Sequence, residues 1–308
     1  MDHRKAIFNR FSHLDARPVR RYCRAPGRTG LWFQIAWPNS APKRGFLMSE
    51  RQIRFEDGAV YERMMGTWSR LAGAVFLDWL APRPGLRWID VGCGNGAFTE
   101  LIVERCAPAE VRGIDPSTEQ LAYARARPAA RVAEFVQGDA MALPFPDDRF
   151  DAAVMALVIF FVPDPAKGVA EMARVVCPGG TVAAYSWDIL GGGFPLEPMR
   201  IEMSAMGTPP PFPPSVEASR MEALQGLWAG AGLDAVETRQ IAVQRTFANF
   251  DEFWTISLGS SVGLVVAAMA PAKVETLKTR LRARLPADAA GRVTYGAYAN
   301  AIKGRVPM

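Results

Sequence analysis

Histidine is nearly absent: His3 and His13 are the only two. Residues 14–308 therefore hold no side chain whose unperturbed pKa lies near neutrality, and general-base chemistry by histidine is excluded from the body of the chain. Cysteine is scarce and scattered. Cys23, Cys93, Cys106 and Cys177 form no C-x-x-C pair, so neither a zinc site nor a disulfide framework is indicated, and free thiols in a reducing cytoplasm are expected. Long apolar runs are missing as well. The longest uncharged apolar stretch, Ala152 to Val162, has 11 residues, where a membrane helix needs about 20. Lysine is outnumbered 30 to 6 by arginine, a balance that a GC-rich coding sequence produces without any phosphate recognition.

What remains is a chain of 308 residues, 49% apolar, 22% charged and 10% aromatic, which is the composition of a globular protein of one large or two small domains. Its net charge of +5 is unevenly placed. Residues 1–48 carry a net +8 and the other 260 a net −3, so a basic surface for nucleic acid would rest on the leader alone. No nucleic-acid partner is expected. Residues 1–47 show no hydrophobic period, and Leu31 to Trp37 is too short and polar for a signal peptide; the Ser enrichment and amphipathic helix of a transit peptide are also lacking. The segment reads as a basic, disordered leader. Met48, followed by Ser49-Glu50 and helix-like sequence, is the expected native start, which makes residues 1–47 translated upstream sequence.

From Asp57 onward the pattern is regular. Val60, Met64, Trp68, Leu71, Val75 and Trp79 recur every three or four residues, predicting a helix of about 20 residues that ends before Pro82 and Pro84. Leu86–Val91 reads as a buried strand that breaks at Gly92. Phe98, Leu101, Ile102 and Cys106 give a helical face, and Val111–Ile114 a second strand ending at Asp115. Ser117 with Gln120 reads as a capping box whose helix turns Leu121 and Ala124 inward. Val132–Val136 and Phe150–Val158 are strands three and four, and Val169, Met172 and Val176 mark a helix that Gly179-Gly180 closes before strand five, Thr181–Trp187. Val236–Val243 and Arg292–Ile302 follow as strands six and seven, the seventh paired antiparallel at the end of the sheet. Strands alternating with helices predict an α/β fold: a Rossmann-like, doubly wound sheet of seven strands, mostly parallel. Ligands of such sheets sit beyond the carboxyl ends of the strands.

The loop after the first strand is Asp90-Val91-Gly92-Cys93-Gly94-Asn95-Gly96-Ala97. Its glycines allow a tight turn and a close approach of ligand to peptide groups. Taken alone it also fits the dinucleotide fingerprint, with Asp115 holding the ribose of NAD. Three further segments bear on the choice: Gly138-Asp139-Ala140-Met141 after strand three, Phe150-Asp151 opening strand four, and Cys177-Pro178-Gly179-Gly180 before strand five. In this order and spacing the set resembles the class I S-adenosylmethionine-dependent methyltransferases, particularly their type-11 small-molecule group, over roughly residues 55–308. Tyr61 to Ser69 also resembles the cofactor-covering N-terminal helix of one subgroup, so residues 48–82 are expected to cover the site.

The resemblance implies a role for each of these residues. Gly92, Cys93 and Gly94 would lie against the methionine part of S-adenosylmethionine, with Asp90 near its ammonium group. Asp115, followed by Pro116, would accept from both ribose hydroxyls, as an ionised carboxylate with two oxygens can. Asp139 would accept from the adenine amino group while the Ala140 amide, beside Met141, donates to the ring. Ala156 and Leu157 would pass beside the sulfonium, and Trp68 would belong to the cover. Methyl transfer is an in-line displacement helped by alignment and desolvation, and an acidic acceptor also gains from a base. Relatives often place His or Asn after strand four; this chain has Phe160, leaving Tyr61, Asp188 and Tyr185 as candidate bases. No metal is implied. Gly191-Gly192-Gly193 and the run Thr208 to Pro214 lie in a lid-like insertion, 189–219, for which an exposed P-x-x-P ligand is the runner-up reading. Met199, Met203, Met206, Phe212 and Trp254 suggest an apolar acceptor cavity. The expected protein is a cytoplasmic methyltransferase of a small apolar metabolite; the alternatives are an NAD-dependent oxidoreductase and a non-catalytic cofactor-binding protein.

Intact-mass measurement of the protein from its native host should give a chain beginning at Met48; a mature chain beginning near Met1 would refute that start.

Overall fold

The computed structural model describes residues 65–308; the leader, the expected start at Met48, Tyr61 and the cover over 48–64 lie outside the described residues. Within them the first helix, α1 (Thr67–Leu80), buries Trp68, Ala72 and Phe76 at a spacing of four, the stripe expected from its apolar period. It stops at Ala81, whose φ of 46° breaks the helix just ahead of Pro82.

Strand β1 (Arg87–Val91) lies near the middle of a seven-stranded sheet of order β3-β2-β1-β4-β5-β7-β6. It pairs in parallel with β2 (Glu110–Asp115) and β4 (Phe150–Ala156); β3 (Ala133–Gln137) flanks β2, and β5 (Val176–Trp187) flanks β4, also in parallel. Both faces of β1 are covered. Trp88 enters one apolar cluster with Phe76, Phe98 and Tyr185, whereas Ile89 and Val91 enter another with Phe150, Met172 and Trp228. Alternation along one strand thus feeds two cores, the layering of a doubly wound sheet. The helices that cover it are α2 (Ala97–Cys106), α3 (Thr118–Arg125), α4 (Pro165–Val175) and α6 (Met221–Gly230). Ser117 caps α3 by accepting from the Gln120 amide, and Asp164 caps α4 by accepting from Lys167, with Pro165 at the first helical position.

The expected elements are present with shifted edges. Strand three begins at Ala133, not Val132, which is half exposed after a 3-10 turn. Strand four ends at Ala156, because Leu157 takes a φ of 61°. Gly179 and Gly180 do not close α4, which ends at Val175; they lie inside β5. There Gly179 has a φ of 74°, and a Cβ on Gly180 would come within 2.8 Å of the Asp151 carbonyl, so the pair forms a bulge where the β4–β5 register slips.

The seventh strand is also placed differently. β7 (Val293–Arg305) is antiparallel as expected, but it inserts between β5 and β6 (Asp234–Phe247), leaving β6 at the edge. Burial explains this. Residues 299–302 of β7 (Ala299, Asn300, Ala301 and Ile302) are buried on both faces, whereas most of β6 is exposed.

Since β5 and β6 are both antiparallel to β7, they run the same way, and both end on the carboxyl edge of the sheet. Two excursions leave from that edge. Residues 188–220 carry α5 (Glu197–Ala205) and the proline run; residues 248–292 carry α7 (Phe250–Ser257), α8 (Ser261–Ala267) and α9 (Pro271–Arg284). They are tied together by buried Glu202 of α5, which accepts from Arg280 Nε and Arg284 Nε of α9, each at 2.6 Å. The first excursion is also tied to the segment after β4: Ser215 donates through its amide to the Phe160 carbonyl and through its hydroxyl to the Val162 carbonyl.

The Arg280 bond, seconded by Arg284, holds the Glu202 carboxyl below its usual range. A depressed folded-state pKa stabilises the fold above the ordinary carboxylate pKa, about 4.5, and this contribution is lost as acid protonates Glu202 below it. Glu202→Ala should cost about 1–3 kcal/mol in urea unfolding at pH 7, with a smaller difference from the parent at pH 3.

Candidate active site

The site grows from the β1–α2 turn. Gly92 and Cys93 both donate through their amides to the Ile114 carbonyl, at 2.7 and 3.0 Å, folding the loop against the end of β2. Gly96 then adopts a φ of 79° as the residue that starts α2. Each glycine answers a different demand. A Cβ on Gly92, at a φ of 74°, would lie 2.4 Å from Val158 Cγ1, and one on Gly96 would lie 3.0 Å from Ala124 Cβ. Gly94, at a φ of 52°, would meet nothing within 4 Å. Two of the glycines are therefore needed for packing, and the third opens a bare stretch of backbone to the space above the sheet.

Three carboxylates stand at or near the strand ends: Asp90 within β1, Asp115 closing β2 and Asp139 just past β3. Asp115 is half buried, with Oδ2 accepting from the Gly94 amide and Oδ1 from the Ser117 amide, each at 2.9 Å. Burial raises its pKa, and the two amide bonds oppose that rise. Each oxygen keeps a further lone-pair site, so the carboxylate can pin the loop and still accept from a ligand. Pro116 beside it is exposed. Asp139 is exposed and shapes its own turn, accepting from the Met141 amide at 2.8 Å while its carbonyl accepts from Ala142; Ala140 and Met141 are half buried in that turn.

Asp90 is the unusual one. It is fully buried, and its Oδ2 accepts from Thr99 Oγ1 of α2 at 2.6 Å. Its Oδ1 is buried and has no hydrogen-bond partner among the described residues. Burial pushes the Asp90 carboxyl up to about 7; the Thr99 bond lowers it and the charge of Asp115 raises it. An orphaned buried acceptor of this kind is costly unless something completes it. Cys93 is also buried, and its thiol is pushed well up by burial.

Beside the loop, Ala156 pairs with Tyr185, and Leu157 donates its amide to the Tyr185 carbonyl at 2.8 Å while holding its left-handed φ. Such a conformation is costly for a branched side chain and concentrates at functional sites. It turns the chain so that Val158 meets Gly92 and Phe160 is buried in the following 3-10 turn.

The remaining candidates fall elsewhere. Tyr185 is not an accessible base: its ring is buried against Phe76 and Phe98, with centroids 4.7 and 5.5 Å away. Trp68 is buried against Tyr295 of β7, 5.3 Å between centroids. Asp188 stands on the carboxyl edge after β5, but its Oδ1 accepts from the Gly191 amide at 2.9 Å and shapes the triple-glycine turn. Met199 and Met203 are core, whereas Met206, Phe212 and Trp254 reach the surface in part. A groove of about 750 Å³ between α1 and α2, lined by Leu71, Ala74, Val75 and Leu101, includes none of the candidate residues. Thr99 was missed. Its signal was a hydroxyl beside Phe98, Leu101 and Ile102 on a helix that buries them all.

Residues 89–184 match a protein-family model described as a methyltransferase domain. The chain is 44% identical over 95 residues to 2-methyl-6-phytyl-1,4-hydroquinone methyltransferase 2, chloroplastic, of Oryza sativa subsp. japonica, covering 31% of this chain and 27% of that protein. It is 40% identical over 118 residues to the ubiquinone/menaquinone biosynthesis C-methyltransferase UbiE of Ruegeria sp., covering 37% and 47%. The chain thus spans less than half the length of either relative. Phosphoethanolamine N-methyltransferase 2 of Haemonchus contortus, solved in complex with S-adenosyl-L-methionine, shares the fold at a TM-score of 0.51 and 18% identity, over 81% of this chain and 56% of that one. The resemblance carried by the motifs holds for this segment, and the Rossmann-like fold holds for the described sheet.

Gly92→Ala should cost about 2 kcal/mol or more in stability, from a left-handed φ combined with the collision at Val158. Gly94→Ala should cost only about 1–2 kcal/mol, yet weaken cofactor binding roughly tenfold or more, because its methyl group enters the open space. Thermal melts and calorimetric titrations of the two variants separate these effects.

Proposed function

We propose that this chain transfers the methyl group of S-adenosylmethionine to a small, apolar acceptor of the quinol type. The observation that carries this is the glycine loop itself: the open backbone at Gly94, bonded to the carboxylate of Asp115, follows Asp90 with its unpartnered Oδ1, all inside the segment that matches the methyltransferase model. These residues fit the cofactor chemically. A buried carboxylate oxygen lacking a partner suits an ammonium group, and a half-buried carboxylate with spare lone pairs suits a diol. Gly92, Cys93 and Gly94 would hold the methionine part, Asp115 and Pro116 the ribose, and Asp139, Ala140 and Met141 the adenine. Ala156 and Leu157 would border the sulfonium, and Trp68 belongs to the covering helix. The sheet argues against a dinucleotide: the NAD fold runs six parallel strands in the order 3-2-1-4-5-6, whereas here antiparallel β7 separates β5 from β6.

The cofactor supplies a methyl carbon already activated by a positive sulfur. The protein's part is to align the acceptor behind that carbon and to keep water out. The glycine loop, Asp115 and Asp139 would hold the cofactor while the acceptor's nucleophile takes the methyl group, and the proton carried by that nucleophile would pass to a base. Asp188 is the described candidate for that base, and Tyr61 is the other. We assign 189–219 to cover the acceptor, with α7–α9 as the second wall through the Glu202 contacts. The acceptor class follows the names of the relatives, which act on a phytyl hydroquinone and in quinone biosynthesis. No helix among the described residues is long and apolar enough to cross a membrane, and Cys93, Cys106 and Cys177 are free thiols, which supports a cytoplasmic setting.

Calorimetric titration of the full chain with S-adenosylmethionine, its demethylated product and NAD tests the reading. Roughly micromolar binding of the first two and none of NAD is expected. Asp115→Ala should weaken cofactor binding by roughly 1.5–3 kcal/mol. A cofactor-competent protein that methylates no reduced prenylquinone would rule out the quinol class.

A further inference from the structure

We infer that Thr99 is a positioning residue of this site: its hydroxyl holds Oδ2 of Asp90 so that Oδ1 alone faces the cofactor's ammonium group, and cofactor binding there releases a proton to solvent. The inference rests on the cofactor proposed above and concerns a residue outside the glycine loop.

The argument begins with what surrounds Asp90. Its register partners on either side are Gly113 of β2 and Val154 of β4, both without charge. From α2 it meets Thr99, which is itself fully buried. The nearby titratable groups are Asp115 at the end of β2 and the thiol of Cys93, and neither is a cation. Arg125 of α3 acts on Cys93 but is not among the groups that influence Asp90. Among the described residues no positive charge neutralises this carboxylate, and a buried ionised carboxylate without a counter-charge is strongly disfavoured. The free site therefore holds a substantial fraction of Asp90 as the neutral acid near pH 7, consistent with the rise to about 7 that burial produces.

An ammonium group arriving at Oδ1 reverses the balance. The O–H bond of the acid breaks, its proton passes to buffer, and the resulting carboxylate pairs with the cation. Thr99 matters in two ways. Its bond stabilises the ionised form, and it occupies the oxygen that would otherwise compete for the ligand. A purely structural hydroxyl would affect the melting temperature but not the link between protons and binding.

The test is calorimetric titration of the full chain with S-adenosylmethionine between pH 5.5 and 7.5, in two buffers of different ionisation enthalpy. Expected for the parent is release of up to one proton per cofactor at the acid end, declining as pH rises, with affinity falling toward tenfold per pH unit below the midpoint. Thr99→Val should move that midpoint upward and weaken binding roughly tenfold at pH 7, while Thr99→Ser restores both. Asp90→Asn should bind more weakly with no proton release and a flat profile. Cofactor binding with equal heats in both buffers overturns the inference and leaves the proposed function standing. An unchanged profile in Thr99→Val overturns the role of Thr99. Absence of cofactor binding in the parent at every pH overturns the proposed function, and this inference with it.

Discussion

The site depends on one hydrogen bond, from the amide of Gly94 to the carboxylate of Asp115. That bond ties the turn after β1 to the tip of β2, and the same carboxylate reaches on to Ser117, the residue that caps α3. Three elements are thereby fixed to one side chain. Gly92 can then pack under Val158 and Gly96 beside Ala124, and the backbone of Gly94 is left bare because both neighbours are already in contact. A carboxylate placed there for structure keeps a spare lone-pair site on each oxygen, the capacity that the proposed ribose contact draws on.

Much of this was legible in the sequence, for a physical reason. Local demands leave local marks: the left-handed turn requires its glycines, the cap requires Ser117, and buried strands require the short apolar runs of β1 and β2. Asp115 and Asp139 stand where strands end, and the structure keeps them there. What sequence reading lost depends on contacts between distant segments. Thr99 lies nine residues from Asp90 and reads as an ordinary helix residue until the helix is laid on the strand. Gly179 and Gly180 looked like a helix stop because nothing local distinguishes that from a bulge. Tyr185 looked available as a base, but its ring is enclosed by α1 and α2. The place of β7 was hidden for the same reason, although its alternate alanines, Ala297, Ala299 and Ala301, suit a crowded interior position.

Beyond the carboxyl edge, the two excursions are tied to each other and to the rest of the fold by side-chain bonds. Glu202 joins the two excursions through two arginines, and Ser215 ties the first to the segment after β4. These contacts lie away from the glycine loop. On the proposed reading the sheet would set the cofactor half of the site and the excursions the acceptor half, which leaves the second free to vary without disturbing the first.

The insertion of β7 has a consequence for how the protein is made. The last strand of the sequence takes an interior position, between β5 and β6. On the ribosome, β6 and the helices α7 to α9 emerge before the strand that connects them to the rest. Until β7 arrives, β5 presents an open edge and β6 has no strand to pair with, so the last three strands of the sheet cannot be completed one by one as synthesis proceeds. Its closure is a single late event, and a nascent chain that stalls before residue 293 exposes both unpaired edges at once.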